Sequence, residues 1–134
     1  MAPTLSEQTR AFLEAPRFGV LGTTQSDGTP QLTVMWYELD GDEILMNTTV
    51  QRAKAANLRR DPRIALCVED GYSYVTLYGT ARLVEDQATA QADIHRLAAR
   101  YHNPAKADQM MRDQFGKQQR LTIRMRIERI VEHW

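Results

Sequence analysis

The segment from Phe18 to Asn47 reads FGVLGTTQSDGTPQLTVMWYELDGDEILMN, and it decides the class of fold. It contains three runs that are typical of β-strands: 18–24, 31–39 and 43–47. Gly28 and Gly41 each follow an aspartate in the short connections between these runs. Because glycine adopts a positive φ angle without steric cost, Asp-Gly pairs at these positions are typical of hairpin turns. The segment therefore predicts a three-stranded antiparallel meander.

The rest of the chain mixes strand-like and helix-like patterns. We expect further strands at 64–69, 74–84 and 121–131, and helices at 4–14, 51–59, 86–101 and 105–115. Thr4 and Glu7 have the spacing of a capping box for the first helix. Gly79, inside a strand, predicts a β-bulge or a close approach of another backbone segment. These elements predict a mainly β protein in one domain, 1–134, built as a closed antiparallel barrel of six strands with a helical insert at 86–117.

Composition limits the classes of function. The chain has 134 residues, and 17 Lys and Arg residues balance 17 Asp and Glu residues, so the formal net charge is zero. This balance argues against a nucleic-acid partner, because nucleic-acid-binding domains are usually basic. No apolar run approaches the roughly 18 residues of a membrane span, and no secretory signal is recognisable at the N-terminus. The single cysteine, Cys67, excludes an internal disulfide and a cysteine-built metal site. We therefore expect a soluble cytoplasmic protein without a metal.

A candidate anion site follows the third predicted strand, where Asn47, Thr48 and Thr49 end the strand and a helix begins. The free amide groups and the positive dipole end of a helix favour an anion. Arg52 and Lys54 add two cations in the first turn, where cations are unfavourable for the helix itself. This placement favours a bound phosphate, although a solvated basic helix is an equally good interpretation, since further arginines follow at 59, 60 and 63.

The second predicted strand is apolar on both faces at its end, from Thr33 to Tyr37. Either a fully buried strand or a flat aromatic ligand bound across the strand explains this pattern. Several other residues have a simpler structural interpretation. Cys67 is expected to be an inert core thiol, His95 and His102 are expected to be solvated, and the arginines of the last strand, Arg120, Arg124, Arg126 and Arg129, are expected to form a solvated or dimer-facing stripe.

Several of these motifs together resemble a known family. They are Gly28-Thr29-Pro30-Gln31 leading into Thr33-Val34-Met35-Trp36, Asn47-Thr48-Thr49 with Arg52 and Lys54, Asn57-Leu58-Arg59-Arg60-Asp61-Pro62-Arg63, and Tyr74-Val75-Thr76-Leu77-Tyr78-Gly79-Thr80-Ala81. The chain resembles the pyridoxamine-phosphate-oxidase-like split β-barrels over roughly residues 10–131. Within them it is most similar to the F420-dependent branch, the B group of flavin/deazaflavin oxidoreductases.

The resemblance implies a homodimer with two cofactor clefts at the subunit interface. The cofactor residues that it implies are Thr33, Val34, Met35 and Trp36 along the ring system, Thr48, Thr49, Arg52 and Lys54 around the phosphate, and Tyr74, Tyr78 and Gly79 as candidate partner-subunit residues that close the cleft. Asn47 and Asn57 are further cofactor-binding residues that it implies. Relatives often have proline where this chain has Val34, so the backbone around the ring is expected to differ slightly.

The implied reaction is hydride transfer from reduced coenzyme F420 to a conjugated small molecule, such as an enone, a quinone or a tetrapyrrole like biliverdin. No residue is identified as a catalytic acid. Two alternatives remain: an FMN-dependent oxidase or reductase of the same barrel, and a flavin or deazaflavin carrier without turnover. The phosphate site does not separate the F420 enzyme from the FMN enzyme, because both would use Arg52 and Lys54, and turnover of an acceptor such as an enone would separate a carrier from an enzyme.

Overall fold

The computed structural model describes residues 3–134. It contains seven strands: β1 (Gly19–Thr24), β2 (Pro30–Met35), β3 (Glu38–Asp40), β4 (Glu43–Thr49), β5 (Arg63–Asp70), β6 (Ser73–Val84) and β7 (Arg120–His133). The α-helices are α1 (Glu7–Glu14), α2 (Ala53–Arg60), α3 (Gln87–Tyr101) and α4 (Pro104–Asp113), and a short 3₁₀-helix spans Phe115–Lys117. The predicted mainly β class and the helical insert before the last strand are confirmed.

All seven strands form one antiparallel sheet in the order β2-β1-β5-β6-β7-β4-β3. The edge strands β2 and β3 are joined by Trp36 and Tyr37 alone. Because two residues span only a few ångströms, the sheet must curl until its two edges meet. Within residues 3–134 the ladder does not continue across this seam. The strand pattern alone favoured a closed barrel, which is wrong, whereas the split β-barrel that the family resemblance implied is confirmed.

The predicted strand at 31–39 is wrong as a single element, and the predicted meander is wrong with it. Its two halves pair with different neighbours, β2 with β1 and β3 with β4. Tyr37 causes the interruption, because its backbone N–H donates to the hydroxyl of Tyr101 (3.0 Å) and its own hydroxyl donates to the carbonyl of Leu13 (2.9 Å). A buried side chain fixed in this way removes the residue from the ladder, and the strand count becomes seven.

The glycine predictions are confirmed. Gly28 and Gly41 have φ angles of +89° and +64° in the two Asp-Gly turns. The β6–β7 register shifts between Tyr78 and Gly79, and a Cβ atom at Gly79 would overlap the carbonyl oxygen of Arg126. Gly79 is therefore both a bulge and a point of close backbone approach.

The first helix begins later than the predicted capping box. The N-cap is Ser6, whose hydroxyl accepts a hydrogen bond from the Thr9 N–H (3.1 Å), so the Thr4–Glu7 box is wrong. Asp86 and Asn103 cap α3 and α4 in the same way. Among residues 3–134, no helix combines the length and the apolar character that a membrane crossing would need.

Candidate functional site

The predicted phosphate and ring residues meet in one cleft. It lies between the edge strand β2, the end of β4, the first turn of α2, the start of β7 and the 3₁₀-helix. The polar part is a cavity of about 270 Å³, lined by Thr33, Val34, Met35, Asn47, Thr48, Thr49, Arg52, Lys54, Gln114, Phe115, Gln118 and Arg120. Sequence positions that are far apart are thereby brought together around one polar space.

Two cations of this cavity are buried. Lys54 is 6% exposed, and burial, together with the positive charges of Arg52 and Arg120, lowers the pKa of its ammonium group. Arg120 is 7% exposed, and burial, with a further contribution from the charge of Arg52, lowers its pKa to about 10. Within residues 3–134, none of the three cations forms an ion pair with a carboxylate. Buried charges are normally paired, so this cluster is suited to an external anion.

The guanidinium of Arg120 is held on three sides. Its Nε donates to Oδ1 of Asn47 (2.9 Å), its Nη1 donates to Oε1 of Gln118 (2.7 Å), and its Cζ lies 5.0 Å from the centre of the Phe115 ring. The expectation that Arg120 is part of a solvated or dimer-facing stripe is therefore wrong. The register places Arg120 opposite Thr49, beside the start of α2, and only the β4–β7 pairing reveals this position.

The side chain of Asn47 is itself held by two hydrogen bonds. Its Nδ2 donates to the carbonyl of Ala90 (2.9 Å) and to the hydroxyl of Thr122 (3.3 Å). The Thr122 hydroxyl donates in turn to the buried carboxylate of Asp93 (2.7 Å). The side chain of Asn47 thus links α3 and β7 to the cleft, and its oxygen faces Arg120.

A second cavity of about 210 Å³ adjoins the polar one. Its lining is mostly apolar and consists of Phe18, Val34, Met35, Trp36, Asn47, Ile94, Leu97, Phe115 and Arg120. Trp36 stacks on Tyr101 with ring centres 5.4 Å apart and an angle of 12° between the planes. The result is a cleft with a cationic end and a flat aromatic end.

The strand that connects the two ends is an edge strand. β2 pairs with β1 on one side, and no strand within the described part of the chain, 3–134, pairs with its other side. Alternate backbone N–H and C=O groups of an edge strand therefore remain available to a ligand. Thr33, Val34 and Met35 line the polar cavity, and Val34, Met35 and Trp36 line the apolar one. That these residues lie along the ring system of a cofactor stays a prediction.

Four of the predicted site residues do not line these cavities. Asn57 lies on the buried face of α2, where its Nδ2 donates to Thr23 Oγ1 and Gln31 Oε1, both at 3.1 Å. Tyr78 lies on the outer face of the sheet beside Leu32, and Tyr74 stacks on His133 at the far end of β6. Gly79 is covered by β7. A role for Tyr74, Tyr78 and Gly79 in closing a cleft requires a second subunit and stays a prediction.

The family model for pyridoxamine 5'-phosphate oxidase matches residues 5–134. The chain belongs to the pyridoxamine 5'-phosphate oxidase family. Family membership accounts for the split barrel and implies a flavin-type cofactor and an oxidoreductase-like function in general.

Solved structures agree with this assignment. An F420 reductase is 28% identical, with a TM-score of 0.76 over 95% of this chain and 98% of that one. A conserved hypothetical protein from Mycobacterium tuberculosis is 30% identical, with a TM-score of 0.80 over 98% of this chain and 85% of that one. General Stress Protein 26 from Bacillus anthracis is 17% identical with a TM-score of 0.67, over 91% of this chain and 88% of that one, and it shares the fold alone.

Proposed function

We propose that this member of the pyridoxamine 5'-phosphate oxidase family is an F420-dependent reductase that transfers a hydride to a conjugated small-molecule acceptor, such as an enone, a quinone or a tetrapyrrole. The observation that carries the proposal is the pair Arg52 and Lys54 at the end of an aromatic-lined edge-strand cleft. Among residues 3–134, no carboxylate forms an ion pair with either of these cations. The F420 reductase that matches nearly the full length of both chains supports this branch of the family.

The cleft fits a phosphorylated flavin-type cofactor. Lys54 Nζ donates no hydrogen bond within residues 3–134, and burial lowers the pKa of its ammonium group. Because burial disfavours the charged form, a bound anion would stabilise it. Thr48 and Thr49 line the same cavity. Charge-assisted bonds from an arginine fork and a lysine are the usual means of holding a phosphate.

When bound, reduced F420 supplies the hydride. The residues of the chain bind and orient: Arg52 and Lys54 hold the phosphate, and the free backbone groups from Thr33 to Trp36 orient the ring. The apolar walls formed by Trp36 and Phe115 exclude water from the reacting atoms. Tyr101 does not supply a free acid, because its hydroxyl donates to the carbonyl of Arg17 (2.6 Å).

We further propose that two copies assemble so that each completes the cleft of the other. The outer face of β1 and β2 exposes Phe18 (61%), Leu32 (69%) and Val34 (64%), and Val34 also lines both cavities. Contiguous exposed apolar surface of this kind marks an interface. The same face continues to Tyr78 of β6 through the groove that Tyr78 and Leu32 share.

The test is a parallel calorimetric titration of the purified protein with F420, FMN and riboflavin. A clear preference for F420 supports the proposal, and it is followed by turnover of 2-cyclohexenone with reduced F420. Preference for FMN moves the protein to the FMN-dependent alternative. F420 binding without turnover of any enone or quinone, including ones that bear a carboxylate, identifies a carrier. Failure of all three to bind refutes the cofactor site.

A further inference from the structure

Arg120 differs from the other cations of the cleft in its position. Arg52 and Lys54 line only the polar cavity, whereas Arg120 lines both the polar and the apolar cavity. Its Nε and Nη1 are bonded to Asn47 and Gln118, but within residues 3–134 its Nη2 donates no hydrogen bond and is not sealed from solvent. The Nη2 group of this fixed, buried guanidinium is therefore available to a ligand where the polar and apolar cavities meet.

Among the described residues, 3–134, Arg120 is the only charged residue in the lining of the apolar cavity. Trp36 and Phe115 provide aromatic surfaces, Ile94 and Leu97 provide aliphatic ones, and Asn47 is already bonded to Arg120. A ligand in this cavity would contact flat apolar walls and one cation. Such a site favours planar apolar molecules that carry one anionic group.

The position of Arg120 is set before any ligand arrives. Asn47 holds Nε, and Asn47 is in turn held by Ala90 and Thr122, so the guanidinium does not need to be ordered on binding. A preorganised donor loses little entropy when it binds, and Arg presents its donors in a fork that matches a carboxylate.

We infer that the apolar cavity is the acceptor subsite and that Nη2 of Arg120 binds a carboxylate of the acceptor. The substrate class is then planar conjugated molecules that bear a carboxylate. This inference rests on the proposed function, because it takes the acceptor of that reaction as the ligand. It adds a specificity-determining residue that lies outside the Arg52–Lys54 phosphate site.

The experiment uses a matched pair of unreactive probes, 2-naphthoate and its uncharged amide 2-naphthamide, titrated by calorimetry. A charged hydrogen bond contributes about 1.5–3 kcal/mol, so the wild-type protein is expected to bind the carboxylate about tenfold or more tightly than the amide. Equal binding of the two probes would overturn the inference, and this comparison needs no variant.

Three variants locate the effect. Arg120→Gln is expected to remove the preference for the carboxylate, and Arg120→Lys to keep part of it. Arg126→Gln makes the same change at an exposed arginine of the same strand, which pairs with Glu128, and it is expected to keep the full preference. A preference that survives Arg120→Gln contradicts the assignment.

Two further titrations separate the acceptor subsite from the cofactor site. Naphthoate is expected to bind in the presence of saturating FMN or F420, and mutual exclusion would mean that the cavity holds the cofactor ring. Arg120→Gln is expected to leave the ratio of the FMN and riboflavin affinities unchanged, because Arg120 does not bind the phosphate. A selective loss of FMN would instead make Arg120 a third phosphate ligand and would overturn the inference. If no cofactor binds, the proposed function fails while the naphthoate comparison still tests Arg120.

Discussion

Asn47 Oδ1 lies 2.9 Å from Nε of Arg120, and this hydrogen bond joins the end of β4 to the start of β7 inside the cleft. Both side chains are buried, at 6% and 7% exposure. The amide nitrogen of Asn47 donates to Ala90 O, which fixes the amide with its oxygen towards Arg120. The side chain of Asn47 therefore links the helical insert to the guanidinium of Arg120 and helps to fix the position of that guanidinium.

Asn47→Ala is expected to lower the free energy of unfolding by about 1–3 kcal/mol, because it leaves a buried charged donor without its acceptor. Urea unfolding measures the change. The variant is also expected to weaken naphthoate binding, since the guanidinium of Arg120 is no longer held. Asn103→Ala removes an asparagine that caps α4 away from the cleft, and it is the control that should leave ligand affinity unchanged.

The double variant Arg52→Ala with Lys54→Ala tests the phosphate site. Loss of two charge-assisted bonds of about 1.5–3 kcal/mol each predicts a decrease in FMN or F420 affinity of at least a hundredfold, with little change for riboflavin. Lys106→Ala with Arg112→Ala removes the same charge from exposed positions of α4 and serves as the control. Unchanged FMN and F420 affinity in the first double variant would refute the assignment.

Local sequence patterns predicted most of the elements, because turn glycines and strand alternation act over a few residues. The interruption at Tyr37 was missed, since it depends on hydrogen bonds to Leu13 and Tyr101, which are far away along the chain. Arg120 was missed for the same reason. Its burial follows from pairing with Thr49, which lies 71 residues earlier in the chain, and nothing near Arg120 in the sequence indicates it.

Tyr37→Phe is expected to change the pH dependence of stability. Burial raises the pKa of Tyr37 to about 12, so the folded protein keeps a proton that the unfolded chain loses above about pH 10. The stability contributed by the neutral hydroxyl is therefore present below pH 10 and is lost as the pH rises towards 12. The advantage of wild type over Tyr37→Phe should shrink by about 1.4 kcal/mol between pH 8 and pH 11. Urea unfolding measures both free energies of unfolding. If the difference between wild type and Tyr37→Phe stays constant from pH 8 to pH 11, the prediction is contradicted.

Gly79→Ala is expected to be severely destabilising, by more than about 3 kcal/mol, because the new Cβ would overlap the backbone oxygen of Arg126. Gly41→Ala is the matched control. Its φ angle is +64° and a Cβ there has open space, so strain alone should cost about 1 kcal/mol. Thermal unfolding of both variants gives the comparison, and equal losses would mean that β7 can move away from Gly79.

Val20→Lys tests the proposed dimer. Val20 lies between Val34 and Cys67 on the outer face of the sheet and lines neither cavity of the cleft, so a lysine there adds a charge to the apolar surface without altering the cleft. A buried unpaired charge is costly, and we expect sedimentation to show a dimer for wild type and a monomer for Val20→Lys. Ala92→Lys, at an exposed position of α3, is expected to remain dimeric.

If Tyr74 and Tyr78 of the second subunit close the cleft, the monomeric variant must also bind cofactor more weakly. A monomer with full cofactor affinity would show that each cleft is complete within one chain.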